Sequence, residues 1–367
     1  MQLIYLSPVP WTSFAQRPQK FVRWFHEVTG GDVLWVEPYP SRFPSLSDLQ
    51  KRSVSDRTEQ DHVDPWLTVL APGALPMEPI PGSGLINGVL MWRDALAKLK
   101  RFSAQAETLL VIGKPTVMAL HAMKAMPTVE SVYDAMDDFP SFYEGWSKKA
   151  MSYRELMIVK KVTHLVVSST VLKNKWESIR SEINIIPNAL DSDLLPPSKT
   201  TPVREDSRIL GYVGTIGAWF DWQWVIALAN ARPQDTIRLI GPLYKRPESA
   251  IPTNIELLPA CSHKQALNAM LEFDVALIPF LKTPLTASVD PIKYYEFKAL
   301  GLPIVSTNFG EMVYRASENG VYLTTEGTTI NYEIEKALKY KPDTEEIKRF
   351  RLENSWQKRF SQTPFVN

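Results

Sequence analysis

The feature that most constrains this chain is an alternation, repeated in two halves, of short apolar runs, polar turns and stretches with helical spacing. Gln2 to Leu6 reads as a strand, the loop Ser7 to Gln19 follows, and Phe21, Val22, Trp24 and Phe25 mark a helix before a second strand at Asp32 to Val36. Further strands are expected at Trp66 to Leu70, Thr108 to Ile112, Ser131 to Tyr133 and Thr163 to Val167, with helices around Val117 to Lys124 and Phe142 to Lys161, and Ile183 to Asp191 closes the first half. The pattern restarts at Arg208 to Val213 and continues through Thr236 to Pro242, Ile255 to Leu258, Asp274 to Phe280 and Ile304 to Thr307. Helices are expected at Asp221 to Asn230, His263 to Leu271 and Thr344 to Arg359. Strands this short and apolar are covered on both faces, and the helices between them impose crossover connections. The expected fold class is therefore α/β, with two doubly wound, Rossmann-like domains and ligands at the carboxyl ends of the strands.

At 367 residues there is room for two domains with separate cores. Pro196 to Asp206, polar and doubly punctuated by proline, is the expected linker. It separates 1–195 from 207–345 and leaves 346–367 as a C-terminal helix able to pack back on the first domain. A net charge of +1 gives no global argument for nucleic acid as a partner. The one cysteine, Cys261, excludes an intramolecular disulfide framework and a multi-cysteine metal site, and its expected role is buried packing. Met1 to Pro8 enters a strand directly without a basic leader, and no uncharged apolar stretch is long enough to cross a bilayer, so the expected location is cytoplasmic.

Within this frame Val289 to Thr307 looks like one short helix aimed at a ligand, followed by a buried strand. Asp290 is the expected N-cap, Pro291 suits the first helical position, and Gly301 with Pro303 supplies the stop. Lys293 sits in the first turn, where the helix dipole already concentrates positive charge, and an anion there would remove the conflict. Glu296, three residues on, shares its face, and its carboxylate suits the hydroxyls of a sugar; a solvated Lys293–Glu296 pair is the competing reading. Gly211-Tyr212-Val213-Gly214-Thr215-Ile216-Gly217 would let backbone amides approach a phosphate. Its spacing is not the Gly-x-Gly-x-x-Gly dinucleotide fingerprint, which disfavours a nicotinamide dehydrogenase.

In the first half, Asp134, Asp137 and Asp138 cluster at the carboxyl end of a strand, where catalysis competes with helix capping and loop solvation; a like-charged neighbour raises an aspartate's basicity. The loop after the first strand, with Trp11, Arg17 and Gln19, is a candidate ligand rim or a packed domain edge. Leu90 to Phe102 carries an apolar stripe, Leu90, Met91, Ala95, Leu96 and Leu99, beside the basic set Arg93, Lys98, Lys100 and Arg101. Such a helix suits either an anionic membrane surface or a core with a solvated basic face outside it.

Together these motifs resemble the GT-B glycosyltransferases, particularly bacterial enzymes that build surface polysaccharides, over essentially the whole chain. Ile186-Pro187-Asn188-Ala189-Leu190-Asp191 is similar to the family's interdomain segment, Gly211 to Gly217 to its glycine loop, and Asp274 to Phe280 to the strand before the donor helix. Lys293, Glu296, Ala299, Gly301 and Pro303 are similar to the donor-helix signature. The resemblance implies two domains facing each other across a cleft, the C-terminal one binding a nucleotide-sugar and the N-terminal one the acceptor. It implies Glu296 on the ribose hydroxyls, Lys293 on the diphosphate with Tyr294 counted beside them, and backbone amides from Gly214, Thr215 and Gly217. The aspartates resemble a segment that supplies a general base, and Trp11, Arg17 and Gln19 fall on the acceptor side. Many retaining members carry a second glutamate eight positions before the ribose-binding one; here that position is Ser288, which leans towards inversion. The implied activity is transfer from a nucleoside diphosphate sugar to a hydroxyl of a growing, lipid-linked bacterial glycan, with no metal or other cofactor and with peripheral contact at the cytoplasmic membrane. A nucleotide-sugar epimerase of the same shape and a non-catalytic nucleotide-sugar-binding subunit are the alternatives.

Overall fold

A computed structural model describes residues 1–40, 64–75, 78, 80, 82–198, 207–325 and 330–366. Positions 199–206 of the expected linker, and most of the proline-rich stretch after Pro40, lie outside the described residues. The chain forms two compact units, Met1–Ile186 with Phe360–Asn367, and Pro187–Arg359. The boundary thus falls at Pro187 rather than at 195. Its physical cause is local: Asn188 is bonded to Asp290, and Leu190 bridges to Ser355, which commits this segment to the second unit. The same bridge interrupts the expected Thr344 to Arg359 helix, which becomes two, Thr344–Glu353 and Trp356–Phe360.

The first unit is built on seven parallel strands: β1 (Gln2–Leu6), β2 (Val33–Val36), β3 (Leu67–Leu70), β4 (Thr108–Ile112), β5 (Glu130–Ala135), β6 (His164–Val167) and β7 (Asn184–Ile185). Their order is β3-β2-β1-β4-β5-β6-β7, so the winding reverses between β1 and β4. The second unit has six: β8 (Ile209–Val213), β9 (Thr236–Ile240), β10 (Ile255–Leu258), β11 (Val275–Ile278), β12 (Ile304–Thr307) and β13 (Val321–Thr324). Their order, β10-β9-β8-β11-β12-β13, reverses between β8 and β11. Both sheets are doubly wound, as the alternation of the sequence requires.

Strand periodicity divides the second unit's apolar residues between two layers. Val213, Ile240, Ala276, Ile278 and Ile304 face a layer containing Tyr294, Tyr295 and Phe297 of the Ile292–Ala299 helix. Leu210, Leu239, Val275, Leu277 and Val305 face the opposite layer, with Trp222, Val225 and Leu228 of the Trp222–Ala231 helix. In the first unit the expected Leu90 to Phe102 helix is two helices, Ser83–Leu90 and Arg93–Ser103. Trp92 breaks them: it is fully buried and donates its indole N–H to Gly73 O at 2.9 Å. Cys261, expected in the core, is exposed, because it lies in the polar loop just before the Ser262 cap of the His263–Met270 helix.

Asp290 does not cap its helix. The Ile292–Ala299 helix has Pro291 at its N-cap with no side-chain cap bond. The Asp290 carboxylate is instead a buried junction, accepting from Arg315 Nη2 at 2.5 Å, Tyr295 Oη at 2.9 Å and Asn188 N at 2.7 Å. Arg315 also lies over the Tyr294 ring, 3.7 Å from its centroid. Removing one partner of such a pair leaves a buried charge uncompensated, at about 3–5 kcal/mol. Arg315→Leu should therefore lower the unfolding free energy of the second unit, read from urea denaturation, by that amount, and adding Asp290→Asn should recover part of the loss.

Candidate functional site

In the second unit the loops after β8 and β11 border the point where strand order reverses, the place where open α/β sheets bind ligands. Backbone runs against backbone here. A Cβ on Gly241 would lie 2.1 Å from Gly214 O, and both residues have positive φ, 145° and 153°. The Gly214 N–H donates to Ile240 O and the Ile216 N–H to Pro242 O, each at 2.9 Å. Gly214 therefore shapes the loop and cannot offer its own amide to a ligand. The N–H groups of Thr215 and Gly217 have no acceptor among the described residues. Gly217 has a further reason to be glycine, since a Cβ would come within 2.8 Å of the Trp219 indole.

The Ile292–Ala299 helix follows β11, and the expected pair forms in it: Lys293 Nζ lies 2.5 Å from Glu296 Oε2. This is not a solvated surface pair. The Glu296 side chain is only 6% exposed, while Lys293 keeps 25% of its side chain accessible. The other oxygen, Oε1, is 2.8 Å from His263 Nε2, at the start of the His263–Met270 helix that precedes β11. Burial alone would raise the Glu296 carboxyl, but Lys293 beside it and the hydrogen bonds from His263 and Lys293 outweigh burial and hold it at about 2. Glu296 is thus a permanent, oriented anion with acceptor capacity left for hydroxyl donors. Tyr294 is a different matter: its hydroxyl donates to Glu318 and its ring packs under Arg315 and edge-on to Phe350, so it anchors the helix rather than facing a donor. Ser288 is 2% exposed, and its hydroxyl has no partner among the described residues.

In the first unit β5 ends at Ala135, and the three aspartates separate into distinct roles. Asp134 is buried and gripped by Arg17, whose Nε lies 3.0 Å from Oδ2 and whose Nη2 lies 2.8 Å from Oδ1. Asp138 accepts from Lys175 at 2.5 Å and from Ser141; Lys175 continues to Glu155 at 2.7 Å, and Glu155 accepts from Tyr133 at 2.9 Å. Both are structural. The Asp137 carboxyl has no side-chain hydrogen bond or ion pair among the described residues. Protein packed around it raises its pKa to about 7, with Arg17 pulling down and Asp134 and Asp138 pushing up. Of the expected acceptor residues, Arg17 also donates to Ile186 O at 2.7 Å. Gln19 completes the capping box of the Arg17–Thr29 helix, and Trp11 packs edge-on to Trp35. All three are buried, so they form the packed domain edge and not a ligand rim.

No family model matches the chain. The putative teichuronic acid biosynthesis glycosyltransferase TuaH of Bacillus subtilis (strain 168) is 25% identical over 199 residues, covering 48% of this chain and 50% of that protein. The match thus spans about half the length of this curated relative. Among solved structures, sucrose-phosphate synthase from Thermosynechococcus elongatus superposes with a TM-score of 0.69 at 14% identity, over 99% of this chain and 97% of that one. Anabaena HepE in complex with UDP and glucose gives 0.62 at 15%, over 98% and 94%. The lipopolysaccharide outer core galactosyltransferase WaaB gives 0.63 at 11%, over 98% of each. The fold is that of the GT-B glycosyltransferases. In GT-B terms, Lys293 and Glu296 stand on the expected donor helix, and His263 is the site residue that sequence reasoning missed, since nothing in its local pattern pairs it with a residue 33 positions away.

Because the folded Glu296 carboxyl holds its charge to about 2 while an unfolded one protonates near 4.5, its contribution is present above pH 4.5 and is lost as pH falls towards 2. Glu296→Gln should accordingly cost on the order of 3 kcal/mol at pH 7. The difference in Tm between wild type and variant should narrow steadily between pH 5 and pH 2.

Proposed function

We propose that the chain is a metal-independent, inverting glycosyltransferase that moves a sugar from a nucleoside diphosphate sugar to a hydroxyl of a growing, lipid-linked bacterial glycan. The observation that carries this reading is Asp137, an uncommitted carboxyl held near pKa 7 at the carboxyl end of β5 while its two neighbours are bound up in ion pairs. A general base works best when its pKa lies near the working pH. The acceptor proton passes to Asp137 as the acceptor oxygen bonds to the anomeric carbon, and the bond from that carbon to the diphosphate oxygen breaks. Lys293 and the free amides of Thr215 and Gly217 take up the charge that develops on the departing nucleoside diphosphate, which supports a reaction needing no cation. Glu296 accepts from the ribose hydroxyls. Ser288, which offers no carboxylate, gives no nucleophile or second acid on the donor side and favours inversion by single displacement. The relative's assignment to teichuronic acid biosynthesis, and the UDP and glucose bound in HepE, fit a nucleotide-sugar donor and a surface glycan.

Asp137→Asn should reduce kcat by about 10²–10⁴-fold while the thermal shift produced by UDP-sugars stays unchanged. Asp134→Asn and Asp138→Asn should lower stability more than turnover. Asp137 must be ionised to act, so kcat/KM of the wild type should fall about tenfold per pH unit below 7. Stability runs the other way. A carboxyl whose folded pKa lies above its unfolded value favours the fold below pH 3.8 and loses that contribution as pH rises through 7, so Asp137→Asn should raise Tm at pH 8 and not at pH 4. Full activity of Asp137→Asn would overturn the assignment, and turnover of nucleotide-sugar without an acceptor would point to epimerisation.

A further inference from the structure

A pocket opens in the first unit where its own strand order reverses, between β1 and β4, the place where an open α/β sheet takes a ligand. Leu6 and Ser7 at the end of β1, Glu37 and Tyr39 after β2, and Lys114 and Thr116 after β4 form its walls. Gly113 brings two of these exits together. Its N–H donates to Leu6 O at 2.9 Å, and a Cβ there would lie 2.8 Å from Pro8 Cδ and 3.2 Å from Leu6 O. Glycine thus lets the turn after β4 lie against the end of β1, which leaves Lys114 on the pocket wall.

Two opposite charges line this pocket, and neither satisfies the other. Glu37 accepts the Trp11 N–H on Oε1 at 2.9 Å, while its Oε2 has no hydrogen bond or ion pair among the described residues. Burial pushes the Glu37 carboxyl up, with the Trp11 N–H and the nearby Trp35 indole pulling against it. Lys114 is half-buried and likewise has no hydrogen bond or ion pair among the described residues. The buried acid it acts on, Glu78, is already taken by Arg154 Nη1 at 2.5 Å and by the Val117 N–H at 2.7 Å. The helix end beside Lys114 offers nothing further, because its first amides are capped from within. Val117 N–H goes to Glu78, Met118 N–H to Tyr39 Oη at 3.1 Å and Ala119 N–H to Thr116 Oγ1 at 3.2 Å. Cation recognition here therefore falls on one side chain, and so does anion recognition.

A bare anion in this pocket would meet the charge of Glu37, and an uncharged sugar would leave Lys114 unpaired. A hydroxylated anion satisfies both. We propose that the pocket is a further acceptor subsite that selects a glycan residue carrying an oxyanion, a carboxylate or a phosphate, with the oxyanion on Lys114 Nζ and a hydroxyl donating to the open oxygen of Glu37. The proposal deepens the acceptor side of the reading above and rests on it for its purpose. Position agrees. β4 pairs with β5, so the turn carrying Lys114 leaves the sheet about 5 Å from the strand that leads to Asp137, and Glu37 follows a strand three places from β5, about 15 Å away. A glycan that presents one hydroxyl to Asp137 thus reaches Lys114 and Glu37 with the groups next to it, along one carboxyl edge of one sheet.

Calorimetric titration of the full chain with methyl glucuronide, glucose 1-phosphate and methyl glucoside, UDP being present throughout to occupy the second unit, tests this. The wild type should bind the two anions about tenfold more tightly than the uncharged glucoside, and the tighter of the two identifies carboxylate or phosphate as the recognised group. Lys114→Met should abolish the preference and Lys114→Arg should keep it. Glu37→Gln, which retains an acceptor for the Trp11 N–H, should weaken all three ligands several-fold and leave the preference in place. Lys114 and Glu37 are only partly buried, and an unchanged melting curve would confirm that the variants fold. Equal affinity for the three ligands, a preference that survives Lys114→Met, or wild-type binding by Glu37→Gln would each overturn the proposal. Turnover of Asp137→Asn separates the two readings. If that variant is inactive and the pocket shows no preference, the subsite falls and the base stands; if it is fully active and the preference is present, the reverse holds.

Discussion

Arg17 decides which carboxylate of the first unit is left to react. Its guanidinium grips Asp134 through two nitrogens and spends a third bond on the carbonyl of Ile186, the last residue before the chain enters the second unit. A buried charge is tolerable only when paired and hydrogen-bonded, and Asp134 meets both conditions. Lys175 does the same for Asp138, extended through Glu155 to Tyr133. Burial is the largest influence raising the Asp137 carboxyl; Arg17 opposes it, and Asp134 and Asp138 add to it. Each neighbour thus has an ion pair of its own, while the Asp137 carboxyl has none among the described residues.

The second unit solves a related problem in the opposite direction. A lysine in the first turn of a helix opposes the dipole, and the sequence alone suggests that a ligand's anion relieves it. The structure shows that Glu296 already relieves it from within, with His263 holding the second oxygen. What a donor meets is a preformed dipolar pair, cation outermost and anion buried, and not a bare cation. Such an arrangement separates two kinds of recognition. The accessible lysine suits a diphosphate, and the oriented carboxylate suits hydroxyls, so each end of a nucleotide-sugar has its own partner before binding begins.

Much of the fold was legible because its signals are local. β1, β4, β10 and β12 have the bounds read from the sequence, since each is an apolar run closed by turn residues, while β9 stops at Ile240, two residues short of the run to Pro242. β13 was not read, because after Val321 its residues are only partly buried and lack a clean pattern. The break between Ser83–Leu90 and Arg93–Ser103 was also hidden, since it depends on Trp92 reaching Gly73, a contact that helical periodicity does not encode. Among site residues, Lys293 and Glu296 were legible because helix geometry alone puts them together. The partners of Arg17 and His263 lie 117 and 33 positions away and appear only once the sheets are assembled. Asp290 misled for the same reason: its sequence context fits a cap, while its actual partners, Arg315 and Asn188, come from distant segments.

These cases separate compensated from uncompensated departures from local rules. Asp290 buries a charge, but three donors, one of them the Arg315 guanidinium, compensate it, so its presence is explained by stability alone. The Asp137 pKa is raised at a cost in stability that Arg17 offsets only in part. The Ser83–Leu90 helix likewise exposes Leu85, Val89 and Leu90 while turning glycines inward, a loss of apolar burial with no return among the described residues. Natural chains keep such costs mainly where something outside the fold uses them. By that criterion the Lys293–Glu296 pair, whose charges already balance each other, is the weaker sign of function, and the two uncompensated features of the first unit are the stronger one.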